Sequence, residues 1–193
     1  MAGYSITFQA VEAFIEPESA GAAFGALFDE RDTTDLHADI GEHLVNATGE
    51  RFEAERAPDG APWAPLSPAT LISGYQKRAK ANRAFKLTGR GARSGRGNIE
   101  MTAGFARYVA NKKILQEQGR RGGLLDGIVY QPGDGFVRIG TNKVYGRIHQ
   151  LGGEAGRGRS IRIPARPYVG VSDDDELVIG GIIRRWIEEQ VGG

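Results

Sequence analysis

Tyr-Gly-Arg-Ile-His-Gln-Leu-Gly-Gly from Tyr145 to Gly153, then Ile-Arg-Ile-Pro-Ala-Arg-Pro-Tyr-Val-Gly from Ile161 to Gly170, is the stretch that organises this chain. Gly152-Gly153 marks a chain reversal, since glycine accepts positive φ without steric cost. Pro164 and Pro167 each remove a backbone donor and bias the preceding residue toward extended geometry. Two prolines three residues apart predict an extended edge segment, neither a central strand nor a helix. An edge of that kind is expected to meet another chain, which makes Tyr145, His149, Gln150, Arg166 and Tyr168 candidates for a subunit interface.

Outward from this stretch, the chain reads as α+β: a small, mostly antiparallel sheet packed against helices. Its 193 residues suit a single domain, 1–193, with a core large enough to need no disulfide, and it has no cysteine. Tyr4 to Phe8 alternates like a short strand. A helix is expected from Glu18 to Glu30, where Ala20, Phe24, Leu27 and Phe28 recur at helical spacing. Thr33 or Thr34 caps a second helix with the stripe Leu36, Ile40, Leu44, Ala47 and Phe52. The proline-rich loop from Ala57 to Pro68 is expected to be pinned by Trp63 and Leu66, and Ser67 to cap a short helix opening at Pro68. Leu124–Gln131 and Gly135–Gly140 predict two strands around a Pro132-Gly133-Asp134 turn. Ile161–Ile163 and Tyr168–Val171 are further β-like pieces. A final helix follows Ser172 or Asp173, with Val178, Ile179, Ile182, Ile183, Trp186 and Ile187 as its apolar face and Trp186 as a core anchor. Gly180-Gly181 weakens that helix and leaves room for a close approach.

Net charge is only +1, yet it is unevenly placed. Residues 1–57 carry 12 acidic and 3 basic side chains, residues 58–122 carry 3 and 13, and residues 123–193 carry 9 of each. The two patches can neutralise each other within one subunit or meet across a subunit boundary, where complementary charge guides orientation. The second case pairs Asp39, Glu42 and Glu50 with Lys77, Arg78, Lys80 and Arg83. Residues 75–112 read as a long, basic, glycine-rich insertion, an extended loop or arm facing DNA or an acidic neighbour.

Catalytic chemistry is sparse. His37, His43 and His149 are the only histidines, and the spacing of the first two does not suit a paired-histidine metal site. His149 is the one attractive general base, with no serine or aspartate pattern framing it; a hydrolase built on it ranks last. No enzyme activity, cofactor or metal is expected, and no apolar run reaches membrane-spanning length. The chain is expected to be soluble and made in the cytoplasm.

Four blocks carry a family resemblance. They are Asp39-Ile40-Gly41 through Arg51-Phe52 into Pro58-Asp59-Gly60 and Pro62-Trp63; Pro65-Leu66-Ser67-Pro68 with Thr70; Ile114-Leu115 with Gly119-Arg120; and Tyr145–Gly153 with Pro164-Ala165-Arg166-Pro167 and Gly170. In these the chain resembles the virion morphogenesis, or tail completion, proteins of Mu-like contractile-tailed phages. It departs from them in a longer link at 75–112, in Arg121 to Leu125, and in Tyr168-Val169 where Phe-Leu is common. The resemblance implies a non-enzymatic virion protein at the phage neck, a tail completion ring, with a hexamer expected to match the tail. Its implied partners are further copies of itself, neighbouring neck and tail tube or sheath proteins, and DNA passing through the lumen. The alternative is a DNA-binding factor that uses the basic arm during assembly.

Overall fold

The computed structural model describes residues 4–8, 32–79, 83–90, 95, 97–116 and 123–191. The helix expected at Glu18–Glu30 lies outside them, as does Lys80. By Cα proximity the chain divides into two compact units, Met1–Ala64 with Arg120–Gly193, and Pro65–Gly119.

The first unit is built on helix α1, Thr34–Ala54. Its stripe Leu36, Ile40, Leu44 and Phe52 is almost completely buried, as the 3.6-residue period requires. Thr33 holds the N-cap position, but its hydroxyl does not cap the helix. It donates to Asp134 Oδ1 at 2.9 Å and accepts from the Gly135 amide at 2.8 Å. The free Thr34 amide is instead taken by Asp32 Oδ1. The expected threonine cap is thus diverted to fasten a hairpin about 100 residues away.

That hairpin joins strands β4, Ile128–Gly133, and β5, Phe136–Thr141. With β1, Tyr4–Phe8, they form an antiparallel sheet in the order β1-β5-β4. The register sets Ile6 and Tyr130 opposite Ile139 from either side. The reversal falls at Asp134-Gly135, with Pro132 and Gly133 of the expected turn still in β4, because Gly135 can hold φ +77°. The first strand starts late for a similar local reason: Leu125–Gly127 is a 3₁₀ turn rather than strand. α1 crosses β4 and β5. Val137 and Ile139 are buried beneath it, and the Tyr130 ring occupies the space a Cβ on Gly41 would need. Helix α5, Asp173–Val191, packs along α1 through Ile179 and Ile183. Trp186 is only half-buried and Val178 is exposed, so the buried stripe of α5 is narrower than its apolar residues suggest.

The second unit contains α2, Pro68–Ala79, a hairpin of β2, Phe85–Thr88, and β3, Asn98–Met101, and then α3, Ala103–Asn111. Ser67 Oγ accepts from the Thr70 amide and so caps α2. Thr102 Oγ1 does the same for α3 through the Phe105 amide. Tyr75, Ala84 and Phe105 form its core, with Leu71, Ile72, Tyr108 and Val109 around them. Residues 75–112, expected as an extended arm, are in their described parts helix, hairpin and helix. The aromatic contact of Tyr75 with Phe105, 5.2 Å between ring centres, gives them a core of their own. Leu66 belongs to this unit and is half-buried.

Candidate functional site

The Tyr145–Gly170 stretch takes a different shape from the extended edge its prolines suggest. Gly146–Leu151 is a short helix, α4. It stops at Gly152, whose φ of +72° and closeness to the Ala165 amide leave no room for a side chain. A two-stranded hairpin follows, β6 at Gly153–Ala155 with β7 at Ile161–Ile163. Beyond it, residues 164–172 form a strap without regular structure, and the β-like reading of Tyr168–Val171 does not hold. Yet Arg166, Tyr168 and Val169 are buried, at 5%, 0% and 2% exposure.

A buried strap needs partners for its backbone, and here side chains supply them. Gln150, itself buried on α4, accepts from the Tyr168 and Val169 amides at 3.0 and 3.1 Å. It also donates to the Val169 carbonyl at 2.7 Å. One amide side chain thereby stands in for a neighbouring strand. Trp63 Nε1 donates to the Pro167 carbonyl at 2.8 Å, and Arg51 Nη1 to the Gly170 carbonyl at 3.0 Å. The Arg166 amide donates to the His149 carbonyl at 2.7 Å, and its Nε to the Ala64 carbonyl at 2.8 Å. Aromatic packing completes the fastening: Phe52 meets the Trp63 ring edge-on at 5.3 Å and the Tyr168 ring at 5.6 Å.

The strap ends on a buried ion pair. Arg51 Nη2 contacts Asp175 Oδ2 directly, and His43 Nε2 lies 2.9 Å from Asp175 Oδ1. Ser172 donates to the same carboxylate from its amide at 2.8 Å and its hydroxyl at 2.6 Å, and its Oγ accepts from the Asp175 amide. This reciprocal box caps α5. Burial alone would raise the Asp175 pKa; the Ser172 hydrogen bonds and the charges of Arg51 and His43 outweigh it and hold the carboxyl below its usual range. Burial also lowers the Arg51 pKa, against the pull of Asp175.

Of the residues expected at an interface, Gln150, Arg166 and Tyr168 therefore face the interior, where the side chains of Gln150 and Arg166 hold this chain's own backbone and the Tyr168 ring packs on Phe52. His149 is half-buried, its ring 6.1 Å from that of Tyr145, and its Nδ1 is enclosed without a hydrogen-bond partner among the described residues. Burial and then the nearby Arg166 charge lower its pKa, so it is neutral at physiological pH. Tyr145 is 40% exposed. Asp39, Glu42 and Glu50 are exposed on α1, and Asp39 lies 3.7 Å from Arg185 of α5. Lys77, Arg78 and Arg83 are exposed on the second unit. Trp63 is buried, at 5% exposure. Arg51 and Asp175, which sequence reasoning did not single out, are the centre of the site. The signal for Arg51 was a charged residue inside an apolar stripe; Asp175 was hidden in an acidic run that the helix dipole already explains.

What this arrangement defines is a structural core, a buried polar clasp that fixes a strap against a helix pair. The sequence matches the phage virion morphogenesis family over residues 18–104 and again over 102–188, and the chain belongs to that family, a structural one of virion assembly. It is similar to two Haemophilus influenzae proteins. One is the Mu-like prophage FluMu G protein 2, 55% identical over 41 residues, which are 21% of this chain and 30% of that protein. The other is FluMu G protein 1, 36% identical over 85 residues, 43% of this chain and 53% of that protein. The matches thus span about half or less of these relatives. No solved structure gives a significant match. No helix among the described residues is long and apolar enough to cross a membrane.

Proposed function

We propose that this chain is a structural component of the phage neck, a tail completion protein that assembles with copies of itself into a ring between tail and head. The observation that carries the reading is the family match through residues 18–188, joined to a division of charge between the two units. Pro65–Gly119 holds eleven basic and two acidic side chains, net +9. Asp39, Glu42 and Glu50 stand exposed on α1 of the other unit. In a closed ring, two unlike surfaces meet at every boundary, and this division supplies an unlike pair. Exposed ion pairs are worth only about 0.2–1 kcal/mol each, so their contribution is to orientation and rate. Neck and tail tube or sheath proteins would flank the ring.

Native mass measurement of the purified chain, with negative-stain imaging, tests the reading. A discrete ring whose formation slows as salt rises supports it; a monomer at every concentration overturns it. The second reading, a DNA-binding factor, is favoured by the exposed Lys77, Arg78, Arg83, Lys86 and Arg90. Tight, salt-dependent binding to arbitrary duplex by a monomer would select it.

A further inference from the structure

The β2–β3 hairpin has an apolar face that nothing among the described residues covers. Its register pairs Phe85 with Met101 and Leu87 with Ile99. Directly opposed residues two apart along a strand share a face, so these four lie together. Lys86, Thr88, Asn98 and Glu100 make up the opposite, polar face. Alternation of this kind belongs to a strand pair with one side buried. Here the apolar residues are 39%, 45%, 75% and 47% exposed for Phe85, Leu87, Ile99 and Met101. Only the Phe85 end is anchored, with its ring 5.5 Å from that of Phe105. Two strands without a further layer are marginal in water.

We propose that this face docks on a second copy of the chain, against the first turns of α5 around Leu177 and Val178. The proposal rests on the ring reading and names the surface that would close it. Two observations select the occupant. Leu177 and Val178 are 77% and 45% exposed, on a helix whose buried contacts come from Ile179 and Ile183. Gly181 lies one turn beyond Leu177, and a Cβ there would meet nothing within 4 Å. The second observation is complementary charge. Arg83 and Arg90 are exposed at the ends of strand β2, while Asp173, Asp174 and Glu176 are exposed at the start of α5. An apolar centre with oppositely charged rims gives both affinity and orientation. One chain carries both halves, which is the requirement for a head-to-tail contact.

The chain has no cysteine, so introduced thiols report proximity without background. Full-length Ile99→Cys and Leu177→Cys chains are mixed, oxidised mildly and run without reductant. A mixed dimer, absent when either variant is oxidised alone, is the expected result, and the doubly substituted chain should give a ladder of higher bands. Leu87→Ser with Ile99→Ser, which strips the apolar face without touching the core, should raise the half-assembly concentration by about tenfold or more. A bridge formed within one doubly substituted chain would overturn the proposal, since α5 of the same copy would then be the cover. Rings that form normally with no mixed bridge and no effect of the serine changes would also overturn it, leaving the ring reading intact. A chain that is monomeric throughout and forms no bridge would defeat both.

Discussion

Replacing Gln150 by leucine should unfasten the strap while leaving its shape almost unchanged. The side chain is 6% exposed and serves three backbone groups: the Tyr168 and Val169 amides and the Val169 carbonyl. Leucine fills a similar volume but offers no polar atom. Each buried backbone group left without a partner costs about 1–3 kcal/mol. The three share one neighbourhood and do not add fully, so the expected loss is about 3–6 kcal/mol. Against a typical domain stability of about 5–15 kcal/mol, that is a large fraction. Urea titration followed by far-ultraviolet circular dichroism measures it. Gln150→Glu is the companion variant. It keeps an acceptor for both amides but aims a carboxylate oxygen at the Val169 carbonyl. Its stability should therefore rise as pH falls and the acid, once protonated, donates again. A loss under about 1 kcal/mol for Gln150→Leu with an unchanged spectrum would refute the claim that this side chain replaces a strand.

Arg51→Ala should cost about 3–5 kcal/mol, because it leaves the Asp175 carboxylate buried without its cation; a thermal melt shifted by only a degree or two would contradict the clasp. The folded-state pKa of Asp175 is depressed, so its stabilisation is present above the unfolded value near 3.9 and is lost as pH falls through the folded value. An acid-unfolding curve that keeps the wild-type shape in Asp175→Asn would count against this. The His149 pKa is also depressed, so its contribution is present above about pH 6.5 and declines as pH falls toward its folded value. His149→Phe should lessen the stability difference between pH 8 and pH 5, measured by urea titration. Trp63→Ala should cost about 3–5 kcal/mol and Trp186→Ala clearly less, since only Trp63 is buried; the reverse order in melting temperature would overturn the assignment of the core.

The parts of the fold that were legible in the sequence are those whose stabilising contacts repeat locally. α1 shows its buried face every third or fourth residue, and the β4–β5 hairpin is flanked by residues that alternate. The family, too, was readable, from short blocks of proline, glycine and tryptophan. The strap was not, because nothing in Arg166 to Gly170 says that its carbonyls will be met by Arg51, Trp63 and Gln150. Its prolines truthfully reported an absence of ladder bonds, and the error was to place such a segment at the surface. α3 was unreadable for another reason: Phe105 is its single buried residue, too few to set a period. Trp186 misled because large apolar residues on α5 exceed the area that α1 can cover.

The clasp also has a consequence in time. Several of its bonds span much of the sequence: Arg166 to Ala64, Trp63 to Pro167 and Arg51 to Asp175 join residues 102, 104 and 124 positions apart. A chain emerging from the ribosome can complete α2, the β2–β3 hairpin and α3 from neighbours already made, but Arg51 waits for Asp175. Contacts so distant in sequence close slowly, and domains settle in order of synthesis. The second unit is therefore ready first, while the strap closes only when α5 has been made. Until then Arg51 has no carboxylate to meet, and a chain cut short before residue 175 cannot bury it.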